Sequence, residues 1–500
     1  MYRLLTFAAL LAAAPAQAVD SARLDADIAF VDQHEHLPGL AMAVVEDGQV
    51  VYRHTEGVRG DGGRIDEDTL FKIASNSKAM TAALLATLVE QGKLRWDDPV
   101  QRHLPAFRMH DPWVGEHLQV RDLLIHNSGL GLGAGDLMLW PEPNTFTRAD
   151  VIAGLAHLKP VTSFRSGYAY DNLMYVVAGE VAAAAGGKPY DQLMREQVFE
   201  PLGMTRCQVG AWSVEQVGNV AQPHVRRDGR NVVVGADGTL SPDLTSMAAG
   251  GIRCSLRDMT RWMQVLLDPS LAPTWLGAEQ RRMLWTLHMP MPLGERQRDW
   301  DNARFYGYGL GWRVSDMDGQ WKVAHTGTLS GMYSSLALLP DRKVGVVMLI
   351  NGEAEDARTA LMQSALKQFT APEDAQHVGY YLAELAAERA VRAATDLSQW
   401  QGRYRDPWLG PASLCPTGNG LRFSVDKSPT LQATVKRREG RWLLQWDTLE
   451  PSAQAWLNPG ADTPTLELRA IDPEIDFSYD FQDLHFTRTG DCPGTNGPRR

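Results

Sequence analysis

The sequence predicts an α+β domain over residues 19–375, joined by a helical linker at 376–395 to a small all-β domain at 396–490. Three observations carry this. Strand hairpins stand at opposite ends of one long segment, the residues between them read mostly as helix and loop, and after about residue 395 the composition shifts to short alternating runs rich in tryptophan. A sheet assembled from both ends of a segment, with helices inserted between, is an α+β arrangement rather than a series of βα units.

The chain starts Met-Tyr-Arg, continues with an apolar run from Leu4 to Ala14, and reaches Pro15-Ala16-Gln17-Ala18. A charged start, a hydrophobic stretch and a small-x-small site read as an export signal over 1–18, so a periplasmic or secreted protein is expected. Its apolar part is too short to span a bilayer, and later runs such as Val176 to Ala185 are cut by charges such as Glu180, so no stable membrane insertion is expected. The net charge of −11, with no basic stripe, argues against a nucleic-acid partner.

The first hairpin runs from Leu40 to Thr55 and turns at Asp47-Gly48, a pair suited to a tight type I′ turn. The second comprises Met332 to Leu339, the turn Pro340-Asp341-Arg342-Lys343, and Val344 to Asn351. Between them, Ser75 to Gln91 reads as a helix with no charge from Ala79 to Val89 and a stop at Gly92. A helix apolar on every face is normally central, and the only cation in its first turn, Lys78, should enter a poorly solvated place.

Helix-like Asp356 to Phe369, then Pro372 and the charged stretch Tyr380 to Ala394, lead into the second domain. There Trp400, Tyr404, Trp408, Trp442, Trp446 and Trp456 accompany alternations such as Leu466-Glu467-Leu468. A small β-domain needs such large apolar groups to form a core, so packing explains them before glycan binding does. Of the four cysteines, Cys415 and Cys492 are expected to pair because both lie in this domain; Cys207 with Cys254 is the second expected bridge.

Three short constellations carry chemistry. In Ser75-Asn76-Ser77-Lys78, residues three apart on a helix face the same way, so the lysine amine can reach the serine hydroxyl. Serine needs a base to become a nucleophile, and lysine serves as one only when burial depresses its pKa. In Tyr170-Asp171-Asn172 a phenol can give and take protons and an amide can orient a substrate carbonyl; Tyr168 and Tyr175 are assigned to packing. In His325-Thr326-Gly327, on a strand and followed by Thr328, glycine lets a ligand lie against the backbone. Each motif alone recurs by chance, Ser-x-x-Lys roughly once in a chain of this length.

Together, and in this order, Ser-x-x-Lys, Tyr-x-Asn and His-Thr-Gly resemble the serine hydrolases related to class C β-lactamases and DD-peptidases. The stretches Val120 to Leu130, Glu200 to Thr205, Ala248-Ala249-Gly250-Gly251 and Gly307 to Trp312 are similar to the same family, over about residues 25–370. The resemblance implies a β-lactamase/transpeptidase-like domain in which Ser75 is acylated, Lys78 is the base and Tyr170 shuttles the proton. It further implies Asn172, His325, Thr326 and Gly327 as the substrate cradle, the backbone amides of Ser75 and Thr328 as the oxyanion donors, and His126 as structural. The tail from Trp400 looks like the small β-domain that follows some of these hydrolases.

Two departures stand out. Asp171 occupies a place where a small residue is common, and His325 replaces the lysine usual in β-lactamases, so a fixed cation for a substrate carboxylate is lost unless His325 is protonated. The expected activity is therefore acyl-enzyme hydrolysis of a small peptide, amide or ester, a D-amino-acid-containing peptide being favoured. The alternatives are a β-lactamase or carboxylesterase of the same fold, and a penicillin-binding sensor that acylates with little turnover. A metal hydrolase built on His34-Glu35-His36, read as a strand, lacks an identifiable third ligand. No Gly-x-Ser-x-Gly elbow is present, and the glycines at 129, 131, 133 and 135 read as a loop rather than a dinucleotide site. No cofactor or metal is expected, and the oligomeric state is left open.

Overall fold

The computed structural model describes residues 19–140, 144–227, 229–235, 237–387, 392–393, 397–407, 409–417, 420–438, 441–449, 454–460, 465–471, 481 and 484–493. The stretch read as an export signal and Trp408 lie outside the described residues.

The first domain is organised by an eight-stranded antiparallel sheet. Its strands are β1 (Gly39–Glu46), β2 (Gln49–Gly57), β3 (Met289–Pro290), β4 (Tyr306–Tyr308), β5 (Arg313–Met317), β6 (Gln320–Leu329), β7 (Met332–Leu339) and β8 (Val344–Ile350), in the spatial order β2-β1-β8-β7-β6-β5-β4-β3. Both expected hairpins are there: Asp47 and Gly48 each take positive φ (47° and 77°), as a type I′ turn requires. The intervening segment is less helical than its sequence suggests, because β3 to β6 come from it. Three of these strands have five residues or fewer, too short for a period-2 pattern to stand out.

Strand alternation sorts the sheet's side chains into two layers. Leu40, Met42 and Val44 pack with Val346, Met348 and Ile350 against helices α1 (Ser21–Glu35), α5 (Glu355–Thr370) and α6 (Val378–Ala387). Ala41, Ala43, Val45, Val347 and Leu349 face the other way, into the core that holds α2 (Ser77–Glu90), α3 (Asn172–Gly186) and α4 (Leu256–Leu267). The segment expected as a linker thus contains a helix, α6, docked on α1 and α5 through Val378 and Tyr381. Every residue of α2 from Ser77 to Leu88 is buried, so this helix is the axle of the helical layer. The motif His34-Glu35-His36 is not on a strand: Asp20 caps α1, the helix runs through Glu35, and His36 is its left-handed C-cap. Among the described residues no group of three His, Cys, Asp or Glu side chains could hold a metal ion, and no helix is long and apolar enough to cross a membrane.

In the second domain eight strands, β9 (Gly402–Asp406), β10 (Gly410–Thr417), β11 (Gly420–Val425), β12 (Ser428–Arg438), β13 (Arg441–Trp446), β14 (Ala455–Pro459), β15 (Thr465–Ala470) and β16 (His485–Gly490), each pair antiparallel with the next. Pairing of β16 back to β9 closes an up-and-down barrel. Inside it Phe423 meets Trp446 and Phe486 edge-to-face and Trp446 stacks on Phe481, whereas Trp442 and Trp456 lie under Arg437 and Arg441. The barrel meets the first domain at the end of β6, where Ser330 Oγ donates to Thr448 O (3.1 Å).

The structure places Cys415 and Cys492 at bonding distance across 77 residues, and Cys207 and Cys254 likewise across 47. A bridge closing so long a loop should contribute about 4 kcal/mol. Calorimetry of Cys492→Ser should therefore show the barrel unfolding earlier than in the parent chain. An unchanged thermogram, with both thiols titrating in the native parent, would refute the pairing.

Candidate active site

Ser75 does not sit within a continuous helix, as its sequence suggests, but in a 3₁₀ turn, Ala74–Asn76, that leads into α2. The residue before it, Ala74, is fully buried with φ of 48°, a conformation an alanine adopts only when its surroundings impose it. They do so from the sheet. A Cβ on Gly327 would lie 2.2 Å from Ile73 O and 2.3 Å from Ser334 Oγ, so only glycine lets β6 press against the turn. Ser334 Oγ donates to Ile73 O (2.7 Å) and accepts from Asn76 Nδ2 (2.8 Å), tying β7 to the same turn.

One turn on, Lys78 is completely buried. Its Nζ has three neighbours: Asn172 Oδ1 at 2.6 Å, Ala249 O at 2.9 Å and Ser75 Oγ at 3.0 Å. A neutral amine has two N–H donors and one lone pair. The two carbonyl oxygens can only accept, so they use both donors, and the lone pair is left facing the serine hydroxyl. Burial pushes the ammonium form well below its ordinary pKa, with Asp136 opposing that trend and Arg313 reinforcing it. Tyr170 and Tyr175 pack their rings against the amine, at 4.8 and 5.2 Å.

Tyr170 is fully buried and faces Ser75, its hydroxyl making no completed hydrogen bond. Burial holds its pKa well above the ordinary phenol value, so it is a neutral hydroxyl able to relay a proton. Asp171 turns away from the serine and caps α3, accepting from the amides of Leu173 (3.0 Å) and Met174 (3.4 Å) and from Ser128 Oγ (3.2 Å). Asn172 is bridged: Oδ1 accepts a hydrogen bond from Lys78 Nζ while Nδ2 donates to Asp136 Oδ2 (2.8 Å). His126 Nδ1 accepts from the Asp171 amide (2.9 Å), and its ring lies among Tyr168, Tyr170, Tyr175 and Tyr308, a scaffold position.

His325 does not offer the fixed positive charge that a lysine in its place would. Its Nδ1 donates to Thr326 O (2.6 Å), and its Nε2 lies 2.7 Å from Tyr308 Oη, which can donate to it when the ring is neutral. Burial and the nearby charge of Arg313 push its pKa well below the ordinary value. Positive charge comes instead from two residues the sequence did not single out. Arg313 on β5 donates to Thr326 Oγ1 (3.3 Å), and Arg358 on α5, buried, donates to Gly327 O (2.9 Å) and Thr328 Oγ1 (2.8 Å). Both line a cleft of about 260 Å³ together with His325, Thr326 and Ser335. A wider groove of about 620 Å³ runs past Trp113, Val161 and Phe164 and meets these residues only through Ser128.

A family model described as Beta-lactamase matches residues 17–369. The D-alanyl-D-alanine-carboxypeptidase/endopeptidase AmpH of Escherichia coli (strain K12) is 27% identical over 374 residues, covering 70% of this chain and 91% of that protein. A protein named Beta-lactamase from Pseudomonas fluorescens is 29% identical over 354 residues, covering 66% and 92%. The solved structure of the octameric penicillin-binding protein homologue from Pyrococcus abyssi matches with a TM-score of 0.61 at 20% identity, covering 93% of this chain and 99% of that one, and shows the fold.

Burial raises the Asp171 carboxyl from its ordinary 3.8 to about 7, against the opposing pull of its amide donors. A raised acid stabilises the fold fully below about pH 3.8 and loses that contribution as pH rises through about 7. Asn also caps helices well, so chemical denaturation of Asp171→Asn should show a flatter stability between pH 4 and roughly 7 than the parent. Parallel curves would show that Asp171 is already ionised across that range.

Proposed function

The chain belongs to the β-lactamase family, and from that premise we propose that it is a serine hydrolase cleaving a small peptide, amide or ester through an acyl-enzyme on Ser75, with a D-amino-acid-containing peptide that ends in a free carboxylate as its preferred substrate. The observation that carries the catalytic half is the buried Lys78 amine within reach of Asn172 Oδ1, Ala249 O and Ser75 Oγ, which as a neutral amine gives its two donors to the carbonyls and its lone pair to the serine.

The chemistry follows from that arrangement. Neutral Lys78 takes the Ser75 proton as Oγ bonds to the substrate carbonyl carbon. The amides of Ser75 and Thr328 are assigned to the resulting oxyanion, a reading supported by the close approach of β6 to the Ser75 turn. Tyr170 passes the proton to the leaving group as the scissile bond breaks. Water then attacks the acyl carbon, giving up its proton along the same groups in reverse, and Ser75 Oγ leaves protonated.

The substrate half rests on Arg313 and Arg358. Guanidinium stays charged at any physiological pH and suits a carboxylate better than a point charge does. Two of them in the cleft beside Thr326 supply the positive field that neutral His325 cannot. The relationship to a D-alanyl-D-alanine-carboxypeptidase points the same way. Two paired disulfides favour an exported protein.

Turnover of a D-Ala-D-Ala peptide, its C-terminal amide, a chromogenic cephalosporin and a short-chain aryl ester should rank the free-acid peptide first, and Ser75→Ala should be silent on all four. A burst without steady release would identify a sensor instead of an enzyme. Arg313→Gln should raise KM for the free-acid peptide about 10- to 100-fold, the value of a charged hydrogen bond, while leaving the ester nearly unchanged. Equal losses on both substrates would remove the carboxylate role.

A further inference from the structure

The Asn172 amide is held from both sides, and the far side is a charge. Asp136 lies in a short 3₁₀ turn, Asp136–Met138, that follows the glycine loop, and it is fully buried. Gly135, at φ of 79°, leads into that turn, and a Cβ there would meet Leu173 at 2.2 Å. Gly133 N donates to Tyr170 O (2.7 Å), so the loop is fastened to the segment that carries Tyr170 into Asn172. The result is a buried line of contacts: Asp136 Oδ2 to Asn172 Nδ2 (2.8 Å), Asn172 Oδ1 to Lys78 Nζ (2.6 Å), Lys78 Nζ to Ser75 Oγ (3.0 Å).

We propose that Asp136 is a positioning residue for catalysis: its carboxylate fixes which end of the Asn172 amide faces Lys78 and supplies the negative charge against which Lys78 takes and returns the serine proton. This rests on the acyl-enzyme reading above. An Asn amide can present either oxygen or nitrogen, and with nitrogen toward Lys78 it would compete for the amine lone pair that Ser75 needs. A carboxylate opposite Nδ2 excludes that flip, because two oxygens cannot share a proton that neither carries. The same charge stabilises the transient ammonium after Ser75 has given up its proton, a role worth most where water is excluded.

The groups that bear on Lys78 come from several elements. Asp136 and Asp171 favour its cation, whereas Arg313 from β5 disfavours it. Burial and Arg313 push the pKa values of His126 and His325 well below the ordinary value. Tyr170 and Tyr175 flank it as neutral rings. Asp136 is the largest of the charges acting on the amine. Its removal therefore has a defined sign: the ammonium becomes harder to form, and the amine is free at lower pH.

The test uses the full chain and a fluorophosphonate probe, which reports Ser75 reactivity without a known substrate. Labelling rate against pH should have an acidic limb set by Lys78. In Asp136→Asn, whose amide can still accept from Asn172, the limb should move down by about one pH unit, with a several-fold lower plateau. Asp136→Glu, which keeps the charge, should leave the limb in place even if the plateau falls. An unmoved limb in Asp136→Asn, or equal shifts in both variants, would overturn the proposal. So would loss of the fold in both variants, which would make Asp136 a purely structural carboxylate. If the parent itself is not labelled at Ser75, the acyl-enzyme reading fails and Asp136 is not the cause.

Discussion

The site is governed by one constraint: a lysine amine has been taken entirely out of water and given two carbonyl oxygens and one hydroxyl for company. In solvent that amine would be an ammonium with three donors and nothing to accept with. Burial makes that charge expensive, and in the neutral amine the two carbonyls decide where the lone pair points. The rest of the first domain serves that geometry. The all-buried helix α2 supplies the dry surroundings, α3 brings Asn172 to one side, and the 247–250 turn brings the Ala249 carbonyl to the other.

The serine is placed by a different means. A left-handed alanine is a small store of strain, of order 1 kcal/mol or more, and it persists here because β6 and β7 grip the turn through Gly327 and Ser334. The glycine of His-Thr-Gly therefore does two jobs. It clears room for the turn that carries Ser75, and it leaves the β6 backbone uncovered by a side chain at that point.

Much of this was legible in the sequence because it is local. Ser75 and Lys78 are three residues apart, Tyr170 and Asn172 two, and Asp47-Gly48 demands its turn whatever surrounds it. What stayed hidden depends on distant partners. Arg313 and Arg358 carry no motif, and only the strand order β6-β5 and the packing of α5 on the sheet bring them to Thr326 and Thr328. Asp136 follows a glycine-rich stretch that reads as a loop and carries no motif of its own. His325 looked free to charge because sequence does not show that Tyr308 and the Thr326 carbonyl occupy both its nitrogens. Barrel closure was equally invisible, since it rests on β9 meeting β16 some 80 residues later.

Closure of that barrel also has a bearing on how copies of the chain can meet. A sheet rim is a row of unsatisfied peptide groups that will template a neighbour's strand. The described barrel strands pair all the way round and so offer none. In the first domain the β3 rim is two residues long and ends in Pro290, which has no N–H to give. The β2 rim carries Arg53, His54 and Glu56, charges that resist a flat partner. Strand addition to these two sheets is thus opposed at three places by three different devices, among the described residues.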